Sequence, residues 1–169
     1  MVTRRNVEWL SQASEDPDLF RKIWRDDPRM PQLVATGSLF DVLVTNGQAG
    51  METLDQLHRR GMPVGAVVID HAAGLTGFFF PSGTRELLER TVARETDAPP
   101  SYRILSDGSY VVLPGPMPWP GDRFDWLNPL IRPQHPSPLQ TVALGVMLTA
   151  AARLIARAEQ YGQETADVR

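Results

Sequence analysis

The stretch FDVLVTNGQAGMETLDQLHRRG, residues 40–61, decides the fold of this 169-residue chain. Residues 39–45 are rich in β-branched and aromatic side chains, which indicates a strand. Residues 49–61 place apolar side chains on one helical face, and Gly61 then ends the helix ahead of Pro63. A Thr-Gly-Ser break at residues 36–38 predicts a turn, with a shorter strand before it. The chain therefore mixes strands and helices from its first third onward.

Helices and strands alternate on both sides of this stretch. Apolar spacing predicts a helix over residues 16–27, closed by Pro28, and another short helix ahead of it. Downstream, residues 65–70 and 75–80 indicate a β-hairpin, and a helix capped by Ser82 or Thr84 follows to about residue 95. Strands at 102–105 and 109–114, joined by Ser-Asp-Gly, predict a second hairpin.

The last third contains a proline-rich loop and a helix. Residues 114–138 are predicted to be an extended loop, interrupted at most by a short strand RFDWL at 123–127. Ser-Pro-Leu-Gln at 137–140 is a helix-start signal, and the helix should extend to about residue 162. Its apolar stripe is expected to comprise Leu139, Val142, Ala143, Val146, Ala150, Leu154 and Ala158.

The predicted fold class is α+β, with a mostly antiparallel or mixed sheet and packed helices. A single domain, 1–169, is sufficient: N-terminal helices at 1–30, a core at 31–131 and a long C-terminal helix at 137–162. No internal repeat or low-complexity segment divides it.

Composition excludes several classes of protein. The chain has no cysteine, so disulfide frameworks and thiolate zinc sites are excluded. Its net charge of -3 provides no global positive field for nucleic acid. The longest apolar run, residues 142–152, is shorter than the roughly 20 residues that a membrane span needs, and the N-terminus lacks the apolar core of a secretory signal. We therefore expect a cytoplasmic protein without a membrane partner. Basic residues are almost all arginine, which indicates a GC-rich genome.

Common catalytic motifs are missing. The sequence has no GxGxxG or P-loop motif for phosphates and no GxSxG nucleophile elbow. The histidines His58, His71 and His135 are not spaced for a helical metal pair, so no metal site is predicted. Asp41 interrupts an apolar strand and should have a partner, either an arginine or turn amide as a structural feature, or a ligand.

Nucleic-acid contacts would have to be local. Arg59 and Arg60 end the predicted helix of the opening stretch, and Arg21 and Arg25 lie four residues apart on a helix that also carries several aspartates. Trp119, among prolines, is the tryptophan expected outside the core and could stack on a base. These five residues are the candidate nucleic-acid contacts.

Three segments together resemble a known family: VATG at 34–37, the opening strand-helix stretch, and DGSYVVLPGPMPWPGDRFDWL at 107–127. They are similar to the N-terminal domain of bifunctional DNA primase/polymerases, the prim-pol branch of the archaeo-eukaryotic primases, and most closely to stand-alone actinobacterial proteins. The resemblance implies an RRM-like core. It also implies two metals held by an Asp-x-Asp pair at a strand end, a nucleotide-contacting histidine on a later strand and a further acidic residue.

This chain departs from the family at those positions. The matching strand end is Val44-Thr45-Asn46, and Gly77 stands where the histidine would fall. Valine and asparagine cannot neutralise two divalent cations. The resemblance therefore implies the fold and a catalytically degenerate prim-pol-like protein, a pseudoenzyme in which Val44, Asn46 and Gly77 mark the former active site.

Three hypotheses for function follow. The first is a regulatory module that binds nucleic acid or a nucleotide and needs no cofactor. The second is a protein-interaction module that self-associates or binds a partner through the C-terminal helix. The third is an active, divalent-metal-dependent primase or polymerase in which Asp41, Asp70 and Asp107 converge in an unconventional way.

Overall fold

A computed structural model describes residues 2–129 and 137–167 of the chain. The described residues form five helices and seven strands. In chain order these are α1 (Arg4–Ser11), α2 (Pro17–Asp26), β1 (Gln32–Ala35), β2 (Phe40–Asn46), α3 (Gly47–Arg59), β3 (Val67–Asp70), β4 (Leu75–Pro81), α4 (Arg85–Glu95), β5 (Arg103–Leu105), β6 (Tyr110–Leu113), β7 (Phe124–Asn128) and α5 (Pro138–Asp167). The predicted α+β class and long C-terminal helix are confirmed.

The strands form two antiparallel sheets. The larger has five strands in the order β5-β2-β4-β3-β7, and the smaller pairs β1 with β6. β2, the strand predicted at residues 39–45, lies between β4 and β5 and so has a neighbouring strand on each side. The β3–β4 hairpin is confirmed, and β7 is the short strand expected within the proline-rich loop.

Two apolar clusters cover the two faces of the five-stranded sheet. On one face Val42, Val68 and Phe79 pack with side chains from α1, α2 and the β1–β6 sheet. On the other face Leu43, Phe78 and Phe80 pack with α3, α4 and α5. Alternation along β2 directs successive side chains to opposite faces. The chain is therefore layered, with the larger sheet between the N-terminal helices and the three later ones.

The prediction of a second hairpin, between the strands at 102–105 and 109–114, is wrong. The Ser-Asp-Gly turn forms, with the Ser109 amide donating to the Ser106 carbonyl and Gly108 at a φ of 78°. The strands on its two sides then separate, since β5 pairs with β2 and β6 pairs with β1. An Asp-Gly signal specifies the turn, whereas the partner of each strand is chosen by the apolar face that it must cover.

Helix α5 is longer than predicted, ends at Asp167, and buries a stripe that overlaps the predicted one only in part. Ala143 is buried and Val146 packs against the core as predicted, whereas Leu139 and Leu154 are about half exposed. The remaining buried residues against α3 and α4 include Leu144, Met147, Leu148 and Ala151. The first half of α5 is apolar nearly all round, so sequence spacing alone did not select the buried side.

By length and composition, α5 is also the one helix among the described residues that could cross a membrane, with a mean hydropathy of 1.6. Within that apolar window, 44% is buried inside the protein.

The start of α4 differs from its predicted cap. Thr84 occupies the N-cap position, but its hydroxyl donates to the Pro81 carbonyl and makes no capping bond. The Ser82 hydroxyl donates instead to the Ser38 carbonyl, across the loop that follows β1. Neither hydroxyl therefore satisfies the first amides of α4.

Candidate functional site

Val44 and Gly77 lie directly opposite each other on neighbouring strands, in register between β2 and β4. Asn46 is two residues further along β2, opposite Leu75, and therefore on the same face. The strand pairing thus brings together the three positions that the sequence singled out. Around them, the same face carries Arg103 on β5 and Phe124 on β7. We call this group, Val44, Asn46, Leu75, Gly77, Arg103 and Phe124, the Val44 surface.

Each of these three positions has a structural role. Val44 is half-buried against the apolar cluster that includes Val42 and Phe79. The Asn46 side chain caps α3, its Oδ1 accepting from the Ala49 amide at 2.9 Å. A Cβ at position 77 would meet a methyl group of Val42 and one of Val68, both at 3.0 Å, so the glycine lets these valines close over the sheet.

These residues do not fit a pair of divalent metal ions. Val44 has no donor atom, the Asn46 oxygen is already bonded to the α3 amide, and Gly77 has no side chain. Within residues 2–129 and 137–167, no three His, Cys, Asp or Glu residues are grouped to hold a metal. Hard cations such as magnesium need several carboxylate or carbonyl oxygens that converge.

An arginine lies at each edge of the Val44 surface. Arg103 is exposed next to Val44 and forms no salt bridge with a described residue. Arg123, beside Phe124, donates to both oxygens of Asp70 at 2.9 and 2.8 Å, and its guanidinium lies 4.8 Å from the Phe124 ring centroid. The surface is therefore basic at one edge and charge-balanced at the other.

Asp70 is held by its own hairpin. Its pKa lies below the ordinary value, chiefly because Arg123 donates to it and further because the amides of Ala73 and Ala72 do so. A carboxylate with this many donors is satisfied as a turn residue. Asp70 is therefore a polar turn residue between β3 and β4.

The five candidate nucleic-acid contacts fall on two sides of the molecule. Arg59 and Arg60 end α3, in the layer opposite the Val44 surface, and Arg59 is paired with Asp55 and Glu52. Arg21 and Arg25 lie on α2, on the other side of the sheet. The structure therefore does not bring these arginines into one patch.

Arg21 and Arg25 differ in their surroundings. Arg21 is engaged with Glu8 and Asp18 and also bonds the Ser11 hydroxyl, whereas Arg25 is exposed. The sequence had shown the aspartates next to α2 but not the ion pair that reaches from α2 to Glu8 on α1.

Trp119 is 63% exposed, as expected, and it has an arginine partner that the candidate set did not include. The Arg29 guanidinium lies 4.6 Å from the Trp119 ring centroid and is paired with Asp122, which also accepts from the Trp119 amide. This cluster fastens the loop before β7 to the end of α2. One face of the indole is therefore already occupied by a cation.

Asp41 has no partner for one of its oxygens. The residue is 1% exposed and lies on the face of β2 that packs against α3, α4 and α5. Its Oδ1 is buried without a hydrogen bond from any described residue. Burial raises the pKa of the Asp41 carboxyl, the carboxylate of Asp107 adds to the rise, and Ser106 and Arg85 oppose it. The expected arginine or turn-amide partner is therefore not found at Oδ1 among the described residues, whereas Ser106 and Arg85 lie close enough to favour the charged carboxylate.

The three aspartates of the polymerase hypothesis do not converge. Asp41 on β2 pairs with Phe80 of β4, and Asp70 on β3 pairs with Leu75 of the same strand. From the spacing of Leu75 and Phe80, the two aspartates lie on opposite faces of the larger sheet and about 17 Å apart along β4. Asp107 is close enough to affect Asp41 but lies in the turn between β5 and β6. No common metal could bind all three.

Comparison with known proteins adds one match. A family model described as bifunctional DNA primase/polymerase, N-terminal, matches residues 3–140, which include both sheets and α1 to α4. No curated protein and no solved structure matches significantly. His135 and residues 130–136 of the proline-rich loop lie outside the described residues.

Proposed function

The chain belongs to the family of bifunctional DNA primase/polymerase N-terminal domains, and from this premise we propose that it is a non-catalytic member that binds single-stranded nucleic acid across the Val44 surface. The observation that carries the proposal is the pairing of Val44 with Gly77 beside an exposed, unpaired Arg103. The metal-binding positions are filled by side chains that serve the fold, whereas a basic edge remains next to them.

Loss of the carboxylates changes what this surface attracts. In a metal-dependent polymerase, acidic side chains need bound cations before a polyanion can approach. Here Asp70, which pairs with Leu75 and Phe124 of the Val44 surface, is neutralised by Arg123. A phosphate backbone can therefore approach Arg103 without a metal ion, and the Phe124 ring offers an aromatic contact at the opposite edge.

The proposed role is regulatory, in the cytoplasm, and requires no cofactor. We expect binding that does not depend on base sequence, since no set of paired donors and acceptors lies on the Val44 surface to read base edges. The self-association hypothesis concerns the C-terminal helix, in a different layer, and is compatible with this role.

Fluorescence anisotropy with labelled single-stranded DNA and RNA tests the proposal. Binding should weaken as salt increases, and Arg103→Ala should weaken it several-fold and lower the salt slope by about 1. Arg90→Ala is the matched control, because Arg90 is an exposed arginine on α4, in the opposite layer. Equal effects of both variants, or none of Arg103→Ala, would contradict the proposal.

Three further experiments separate the alternatives. Arg59→Ala with Arg60→Ala tests the α3 side, so a loss there with no loss from Arg103→Ala would move the interface to that helix. Competition by free nucleoside triphosphate at micromolar concentration would identify a nucleotide as the ligand instead of a polymer. Primer extension with manganese and all four nucleotides should give no product, and a product that is lost in Asp70→Asn would refute the non-catalytic assignment.

A further inference from the structure

The second half of α5 extends beyond the body of the protein. Arg153 donates to the Glu95 carbonyl at the end of α4, and from residue 153 to 166 every side chain except half-buried Ile155 is exposed. An open cleft lined by Met51 of α3 and by Leu154 and Ala158 marks the place where α5 leaves α3. These residues, 153–166, are called distal α5. They lie beyond residue 140, where the family match ends.

A mostly apolar seam runs along α5 from Leu144 to its distal end. Its residues recur at alternating steps of three and four: Leu144, Met147, Ala151, Leu154, Ala158, Tyr161 and, as its one polar member, Thr165. This is the spacing of the a and d positions of a coiled coil. The first three are buried within the protein, whereas Leu154 and Tyr161 are 47% and 71% exposed. The seam therefore continues past the point where the protein itself covers it.

Distal α5 has little to stabilise it beyond its own helical hydrogen bonds. It continues the anchored first half of α5 and needs no new helix nucleus, but an interior glycine weakens a helix by about 1 kcal/mol, and distal α5 contains Gly162. An apolar partner along the seam would stabilise it.

We propose that this partner is distal α5 of a second copy of the chain, packed antiparallel. In that arrangement Leu154 faces Thr165 of the second copy, and Ala158 faces its Tyr161. By symmetry the interface contains four such pairs of facing side chains. Ala158 and the open space around Gly162 leave room for Tyr161 and Ile155 of the other copy.

Charge selects the antiparallel orientation. Arg157 and Glu164 flank the seam on one side, and neither is paired with a described residue. Antiparallel packing places Arg157 beside Glu164 of the second copy, twice by symmetry. Parallel packing would instead place Arg157 beside Gly162, without a charge partner. The surface is therefore complementary to itself in one orientation.

Sedimentation velocity of the full chain over a range of concentrations tests the dimer. The wild type should change from monomer to dimer with rising concentration, and Leu154→Glu with Tyr161→Glu should remain monomeric while circular dichroism shows a folded protein. Glu159→Arg is the control, because Glu159 lies on the opposite side of the helix from the seam. A wild type that stays monomeric at about 300 μM, or a dimer that survives the double glutamate variant, overturns the proposal.

Charge reversal tests the orientation. Arg157→Glu alone and Glu164→Arg alone should each weaken dimerisation by about 10-fold, because each replaces two attractive pairs by two repulsive ones. The double variant, Arg157→Glu with Glu164→Arg, should restore the wild-type constant. Failure of the double variant to restore it refutes antiparallel pairing. Nucleic-acid binding by the monomeric variant should persist, which keeps this test separate from that of the Val44 surface.

Discussion

Replacing Asp41 with asparagine should stabilise the protein at neutral pH. The carboxylate is buried at 1% exposure, and its Oδ1 has no hydrogen bond from any described residue. Asparagine has nearly the same shape but carries no charge, so the fold keeps its packing and no longer has to bury an anion. The substitution therefore removes a cost instead of an attraction.

The size of the effect follows from the charge on the buried carboxylate, because asparagine still places an unsatisfied polar atom at this position and removes only the extra cost of the charge. An unsatisfied buried polar group costs about 1–3 kcal/mol, and more when it is charged. We expect Asp41→Asn to raise the free energy of unfolding at pH 7 by about 1–2 kcal/mol, which for a domain of this size raises Tm by about 2–8 °C.

The pH dependence distinguishes this cause from a general packing effect. The pKa of Asp41 in the folded protein is raised by burial, so the folded state holds the proton more tightly than the unfolded chain. The contribution of Asp41 to wild-type stability should therefore fall as pH rises from about 4 through the folded-state pKa and then remain level. The advantage of Asp41→Asn should be absent near pH 3.5 and reach its full size above that pKa.

Urea unfolding at several pH values, followed by tryptophan fluorescence, measures the difference directly. Asp107→Asn is a useful comparison, since it removes the like charge that adds to the pKa rise while leaving Asp41 buried. Asp107→Asn should also raise the free energy of unfolding at pH 7, but by less than Asp41→Asn. A variant at Asp41 that is destabilised at pH 7, or altered equally at every pH, would show that the carboxylate has an attractive partner and would refute the reasoning.

Three other substitutions test the packing and the hairpin charge. Gly50→Ala should lower the free energy of unfolding by about 1–3 kcal/mol in urea titrations, because a Cβ there would lie 2.6 Å from Thr76 Cβ on the rigid strand β4. Asp70→Asn should cost less than about 1 kcal/mol, since the ion pair with Arg123 is largely solvated. That cost should be present above pH 4 and vanish as pH falls through the lowered pKa of Asp70, which a pH series of unfolding curves would show. Leu148→Ala should cost about 2–5 kcal/mol by calorimetry, as Leu148 is fully buried in the α5 core.

Local sequence signals predicted elements well and their partners poorly. The stretch at residues 40–61 gave β2 and α3, because strand and helix periodicities differ within it. The turn at Asp107-Gly108 was also correct, yet the strands beside it belong to different sheets. Pairing depends on which apolar faces meet in three dimensions, and this information is spread over the whole chain.

The same limit applies to the candidate site. Resemblance to a family placed Val44, Asn46 and Gly77 in one site, and the register of β2 and β4 confirms that they are neighbours. Arg103 was missed because nothing local distinguishes one exposed arginine in a three-residue strand. Arg103 can be assigned to the site only once β5 is known to pair with β2, because this pairing places the Arg103 side chain on the same face as Val44. Asp41 was identified by its isolation in an apolar strand, but the absence of a partner for its Oδ1 is a property of the packed core.

The residues at the three positions singled out by the sequence differ in what they contribute. Asparagine and aspartate cap helices about equally well, so Asn46 caps α3 without carrying a charge. Val44 adds apolar contact to the cluster on its face, and Gly77 allows Val42 and Val68 to approach each other. Two carboxylates side by side would repel each other in the absence of cations. No carboxylate stands at these three positions, so this repulsion is absent, and under the proposed function the Val44 surface needs no metal before Arg103 meets a polyanion.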